Sequence, residues 1–434
     1  MGWLNLGSLA GFVALAVLGW AAGGFARPVQ WRTVLGSGGL MLAMGFLVFE
    51  VPGSRTVLIW INETVLRVLS AGHAGALFVL GPLAVGPGHS TPAGEPSVGF
   101  VLAAQVLPAV VFFAALMVAL YHLRILQPVV RVLARVFHRT LALSGAESLA
   151  GGSNIFVGVE SAMAVQPYLA RLTRSELLTV MTCGMSTVAA TTLALYVLFL
   201  QGDFPLIAGH IISASVLSIP AAAMVSKLIL PETEQPVTFG HVPEIDEGAR
   251  EPNTLAALMV GASDGLRMAA GIATLLIAVL GVVALIDLGL EFLTAPLAGT
   301  LGGPVDLQRI LGWIFLPLTW LLGIESADVP SAARVLGART VLTEVVAYQQ
   351  LGALAASEAV SARTLVILSY SLCGFAHLAS VGIFVGGISA LAPSRRNDLA
   401  SLGPRALVGA TLATLMTGAV AGVFYHGQTG LLGL

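Results

Sequence analysis

Apolar runs long enough to cross a bilayer recur along this chain, and nothing else in it restricts the possible folds as much. A spanning helix needs about 20 mostly apolar residues, because the hydrocarbon layer is ~30 Å thick and each residue rises 1.5 Å. Eight runs qualify: 4–25, 34–52, 98–122, 176–201, 205–229, 268–294, 363–392 and 403–427. Inside lipid every backbone N–H and C=O must be satisfied internally, so such runs are helical. The chain therefore reads as an all-α polytopic membrane protein. Composition agrees: 57% of the 434 residues are hydrophobic and 10% are charged, against about a quarter charged in soluble domains. A net charge of −2 gives no basis for binding nucleic acid, and membrane lipid is the expected surrounding. Cys183 and Cys373 lie inside apolar runs and read as small buried residues, not as a disulfide or metal site. No charged stretch precedes the run 9–25, which is expected to be a first span and not a removable leader.

Other segments do not fit a simple span. Residues 57–83 combine an amphipathic helix with an apolar stretch, interrupted by Asn62, Glu63 and Arg67. Residues 124–142 carry Arg124, Arg131, Arg135 and Arg139 among apolar residues, the pattern of a helix lying on the membrane surface. Segments 145–172 and 327–357 are apolar but broken by Gly, Asn, Glu and Arg; each suits two short helices that dip in and return. Residues 231–252 form one long polar loop, expected to be a cytoplasmic linker. Placing the N-terminus outside puts 14 of the 20 Lys and Arg on the inner side, as the positive-inside rule asks.

The two halves repeat one order of elements. Amphipathic helix, broken hairpin, span, span occurs over 124–230 and again over 307–427, and TRSELLTVMTCGMSTVAA (173–190) echoes SARTLVILSYSLCGFAHLAS (361–380). The charge count starts the first unit inside and the second outside, so the repeat is inverted, the build of secondary transporters. Four parts follow: N-terminal scaffold helices in 1–123, transport repeat 1 in 124–230, a loop plus scaffold helix in 231–306, and transport repeat 2 in 307–434.

Ionisable groups at membrane depth cost ~2.5–3.5 kcal/mol on insertion scales and point to function. Glu160, in GGSNIFVGVESAM, and Glu344, in GARTVLTEVVAY, fall at matching hairpin turns. The competing reading pairs each with a nearby arginine, such as Arg339, as a structural ion pair. Asn154 and Gly158 mark a helix break, and the hydroxyls of CGMSTVAATT supply hard oxygen donors for a small cation or polar ligand. A lone Ser or Thr in such a helix more often bonds its own backbone. His377, in LCGFAHLAS, is either a site residue or a packed histidine. Glu147, Glu325 and Asp328, at hairpin entrances, are expected to be solvated.

These residues resemble the concentrative nucleoside transporter family. GAESLAGGSNIFVGVESAMAVQPYLARLTRSELLTVMTCGMSTVAATTLALYV, LGWIFLPLTWLLGI (311–324), LGARTVLTEVVAYQQL (336–351) and the segment 372–422 carry the likeness, over about residues 98–427. The resemblance implies a homotrimer in which each protomer has a scaffold domain and a mobile transport domain that moves as an elevator. It implies a sodium site from the Asn154 side chain, the Val157 carbonyl, the Thr187 hydroxyl and the Val188 carbonyl. Glu344, His377 and Ser380 would bind the ribose, Phe375 would lie against sugar or base, and Glu160 with the turn at Gly158 and Val159 would face the base. The sequence departs from the family's Gly-Gln-Thr-Glu turn, reading Gly158-Val159-Glu160, one residue shorter and without the Gln and Thr donors. His377 stands where Asn is usual, as does Thr343 before Glu344.

The expected function is cation-coupled symport, with sodium as the ion, of nucleosides or nucleoside-like metabolites across a bacterial inner membrane. The alternative is a proton-coupled transporter of a different polar metabolite, with Glu160 or His377 as carrier. No Ser/His/Asp pattern, HExxH motif or phosphate loop suggests an enzyme.

Overall fold

The computed structural model describes residues 2–51, 53–86, 89–242, 251–297, 303–427 and 433; the side chains of Val157, Val159, Glu160, Met163 and Thr191 lie outside the described set. The described chain is helical, and its only β pairing is an isolated bridge between Ser90 and Pro96. Helices α1 (Trp3–Ala22), α2 (Trp31–Phe49) and α3 (Ser54–Leu80) open it, followed by the short α4 (Leu102–Gln105) and α5 (Leu107–His122). The first repeat holds α6 (Leu126–Leu141), α7 (Gly145–Val157), a 3-10 stretch (Gly158–Val165), the short α8 (Gln166–Leu169), α9 (Arg174–Ser186), α10 (Ala190–Leu200) and α11 (Ile207–Ile229). The long α12 (Thr254–Thr294) leads to the second: α13 (Leu307–Trp320), α14 (Val329–Leu342), α15 (Glu344–Ala356), α16 (Ala362–Ser371), α17 (Leu378–Leu391) and α18 (Arg396–Phe424).

Among the described residues, seven helical stretches are long and apolar enough to cross a membrane: α1, α2, α3 with its 3-10 extension, α4–α5, α11, α12 and α18 with its 3-10 approach. Six of the eight runs expected to span match a continuous helix. The other two, 176–201 and 363–392, are each cut in two by an unwound stretch, between α9 and α10 and between α16 and α17. At the first cut Thr187 is extended (φ −115°, ψ 160°), and the hydroxyls of Ser186 and Thr187 donate to the carbonyl of Cys183. Side chains thus satisfy backbone groups that the break releases, as a non-aqueous setting requires. Segment 57–83 is one helix apart from its 3-10 end. Its Glu63–Arg67 pair is exposed, and its buried Asn62 accepts from the Ala208 N–H at the start of α11.

The surface helix and both hairpins form where expected. In α6 the buried positions Leu126, Val130, Ala134, Phe137 and Leu141 share one face, and Arg131, Arg135 and Arg139 are exposed. The first hairpin turns at Gly158 (φ +64°) and the second at Thr343 (φ +88°, ψ 160°), a backbone region almost reserved for glycine.

Two expectations about charge fail. Glu147 and Asp328 are buried, not solvated. Glu147 caps α7 with Ser144 and meets Lys227 at 2.6 Å, and Asp328 accepts from the Ser361 N–H (2.9 Å) and the Thr364 hydroxyl (2.7 Å) at the start of α16. Each hairpin entrance abuts the start of the following broken helix, which excludes water from both carboxylates. In the polar loop, residues 243–250 lie outside the described residues, while Glu232 accepts from the Thr173 hydroxyl.

A buried arginine ties several helix ends together. Arg363 donates to the carbonyls of Gly323, Gly422 and Tyr425 and to the Ser8 hydroxyl, and Asn5 donates to the carbonyls of Gly422, Val423 and Tyr425. The carbonyls at the end of α18 have no partner within their helix, so these side chains replace water. Arg363→Met is expected to lower stability by about 2–3 kcal/mol, the worth of one or two charged hydrogen bonds. A thermal unfolding midpoint in detergent equal to wild type would count against this.

Candidate substrate and ion site

The two helix breaks meet. Ser215 on α11 places its hydroxyl 3.3 Å from the Val188 carbonyl in one break and 3.3 Å from the Cys373 sulfur in the other. A Cβ on Gly374 would lie 2.9 Å from the Ser186 carbonyl and 2.5 Å from a Thr414 methyl, so the crossing needs glycine there. Packing this close between helices is what small residues permit.

Beside the crossing opens a cavity of about 1110 Å³, lined by Gly158, Thr187, Val188, Tyr196, Thr343, Glu344, Phe375 and His377, with α12 closing one side through residues that include Asp264, Arg267 and Met268. The volume is at the large end for a small-molecule site.

Glu344 begins α15 directly after the strained Thr343, which aims a buried carboxylate into the cavity. Its Oε1 accepts from the Tyr196 hydroxyl at 2.9 Å. Its Oε2 lies 3.2 Å from His377 Nε2, yet neither atom has a well-aligned hydrogen bond, and both are buried. The angles leave both atoms open to a ligand beside them. His377 is the N-cap of α17, and its Nδ1 accepts from the Ser380 N–H at 3.2 Å. An accepting Nδ1 carries no hydrogen, so the neutral ring presents Nε2–H to the cavity. The site thus offers one carboxylate acceptor beside one N–H donor. The Phe375 ring meets His377 edge-on, 4.5 Å between centroids, and Tyr196 stacks on Tyr348 at 4.4 Å behind Glu344.

Arg339 forms no direct ion pair with Glu344. Its Nη1 donates to the Ser371 carbonyl (2.5 Å) and the Thr414 hydroxyl (2.8 Å), and it makes no ion pair among the described residues.

On the ion side, Asn154 and Thr187 come together. The Asn154 amide contacts the Thr187 hydroxyl and the Cys183 carbonyl, and its Oδ1 accepts from Ser161 at 3.1 Å. Asn154 is completely buried. This cluster of oxygens suits a small hard cation. The Val188 carbonyl is engaged by Ser215, and the side chains of Val157, Val159 and Glu160 lie outside the described residues. Ser380 takes another part: its hydroxyl donates to the His377 carbonyl at 2.6 Å, serving the cap.

Sequence reasoning missed Tyr196 and the α12 residues. A single Tyr within the run Ala190–Leu200 carries no local signal, and its role follows only from meeting Glu344 across 148 positions.

Broken helices crossing at a buried, partly unpaired polar site, inside an inverted repeat, define a secondary transporter. Family models for the Na+ dependent nucleoside transporter N-terminus and C-terminus match residues 10–83 and 210–422, and a nucleoside recognition (Gate) model matches 103–202. The chain is 36% identical to the uncharacterized transporter YutK of Bacillus subtilis (strain 168), over 96% of this chain and 99% of that one. It is 33% identical to solute carrier family 28 member 3 of Homo sapiens, over 98% of this chain and 60% of that protein. The structure of CNTnw in an inward-facing substrate-bound state superposes with a TM-score of 0.86 at 34% identity, covering 99% of both chains. The chain belongs to the concentrative nucleoside transporter family, a family of integral membrane transporters.

Proposed function

We propose that this protein is a sodium-coupled nucleoside symporter of a bacterial inner membrane, working as a homotrimer by an elevator motion. The moving unit is drawn from 124–230 and 307–434, against a scaffold drawn from 1–123 and 231–306. The observation that carries the reading is the buried, unpaired Glu344 Oε2 beside His377 Nε2–H at the cavity wall. Vicinal ribose hydroxyls donate to the one and accept from the other. Phe375 packs against the sugar or base, and Gly158, Val159 and Glu160 face the base. Ser380 acts through the His377 cap.

Sodium is co-transported cargo, taken up by the Asn154 and Thr187 side chains with the Val157 and Val188 carbonyls. Its arrival pulls α7 and the α9–α10 break together, favouring the substrate-competent state; coupling is this difference in affinity. The test is uptake of labelled uridine and adenosine into proteoliposomes under a sodium gradient, then a proton gradient, at fixed potential. Sodium-driven uptake is expected, and Asn154→Ala should abolish the sodium stimulation while the protein stays folded. Uptake driven by protons alone, or sodium stimulation unchanged in the variant, would defeat the assignment.

A further inference from the structure

Arg339 is completely buried, and its place in the second repeat matches that of Asn154 in the first. Asn154 stands four residues before Gly158, and Arg339 four before Thr343, the positive-φ residues of the two turns. The Asn154 amide donates to the Cys183 carbonyl, in the last turn of α9; Arg339 Nη1 donates to the Ser371 carbonyl, in the last turn of α16. These carbonyls are equivalent: the offset of 188 residues that carries Thr173, the N-cap of α9, onto Ser361, the N-cap of α16, also carries Cys183 onto Ser371. Each side chain also meets a threonine hydroxyl, Thr187 in one half and Thr414 in the other.

A helix end concentrates partial negative charge on its last carbonyls, and a cation beside it is stabilised. In the first half, the groups at that helix end among the described residues are a neutral amide and hydroxyls. In the second half a guanidinium already does, and its Nε and Nη2, like the Ser371 hydroxyl, have no hydrogen-bond partner. A free cation at the second position would meet this fixed charge in a dry interior.

We propose that Arg339 is a built-in cation filling the second of two pseudo-symmetric cation positions, so that each protomer carries one sodium ion per cycle and not two. The inference rests on the sodium-symport reading above. Its test counts ions: labelled sodium and labelled uridine entering proteoliposomes at a fixed potential, with equilibrium sodium binding per protomer. Wild type and Arg339→Lys should each bind one sodium and move one with each uridine. Arg339→Gln, which keeps polar groups but removes the charge, should bind a second sodium, with the sodium dependence of uptake steepening from first order toward second. Two sodium ions per uridine in wild type would overturn the proposal, as would a folded Arg339→Gln with an unchanged ion count. Should Arg339→Gln fail to fold, the wild-type ratio still decides. Nucleoside uptake indifferent to sodium would instead overturn the symport reading, and this inference with it.

Discussion

Glu344→Gln is expected to weaken uridine binding at least about 100-fold and to reduce uptake to background. The carboxylate is held by one hydrogen bond, from Tyr196, which leaves Oε2 as the acceptor facing the cavity. Hydrogen bonds to a charged group contribute about 1.5–3 kcal/mol each, and two ribose hydroxyls sharing this carboxylate reach the 100-fold range. The amide also brings an NH2 group that must face either Tyr196 or the ligand, where an acceptor stood. Titration calorimetry on purified protein, with the unfolding midpoint as a control, measures the effect. Binding within a few fold of wild type, in a folded variant, would remove Glu344 from the substrate site and return it to packing.

Lys227→Met is expected to destabilise the protein by about 3–5 kcal/mol, the usual consequence of removing one partner of a buried ion pair. Lys227 ends α11 almost fully buried; its Nζ lies 2.6 Å from Glu147, 3.7 Å from Glu232 and 2.9 Å from the Ser175 hydroxyl. Two capping boxes lie alongside, Ser144 with Glu147 at the start of α7 and Thr173 with Glu176 at the start of α9. Without the ammonium, carboxylates gathered from separate elements face one another in a dry interior. The damage should reach transport, because α7 carries Asn154 from this root toward the helix break. Pairing Lys227→Met with Glu147→Gln should recover most of the loss, since the second change removes the stranded charge. Denaturation of detergent-solubilised single and double variants gives the coupling. A single variant within ~0.5 kcal/mol of wild type would mean that the pair is solvated in the native protein.

Much of the fold could be read from residue order. Six apolar runs became continuous helices, α6 has its arginines on the exposed face, and both hairpins turn at the expected positions. The broken spans were harder to read, because an unwound stretch of three or six mostly apolar residues scarcely changes the mean hydropathy of a run of 26 or 30. The burial of Glu147 and Asp328 was illegible for a different reason. A carboxylate at a helix start has the same local pattern whether water or another helix lies beyond it, and only packing distinguishes the two.

The sequence by itself determined the medium, the helical class and the repeated order of elements, which follow from the price of apolar surface in water and of charge in lipid. It also singled out Glu344, His377 and Asn154 as candidate polar groups, and Thr187 through the family resemblance. Tertiary structure decided which of these groups share a site. It brought Tyr196 to Glu344, set His377 Nδ1 on the Ser380 N–H so that Nε2–H faces the cavity, and set Arg339 on the Ser371 carbonyl. Each of these contacts joins separate helices or forms at the broken end of one, where partners are chosen by how two helix breaks cross and not by neighbours along the chain.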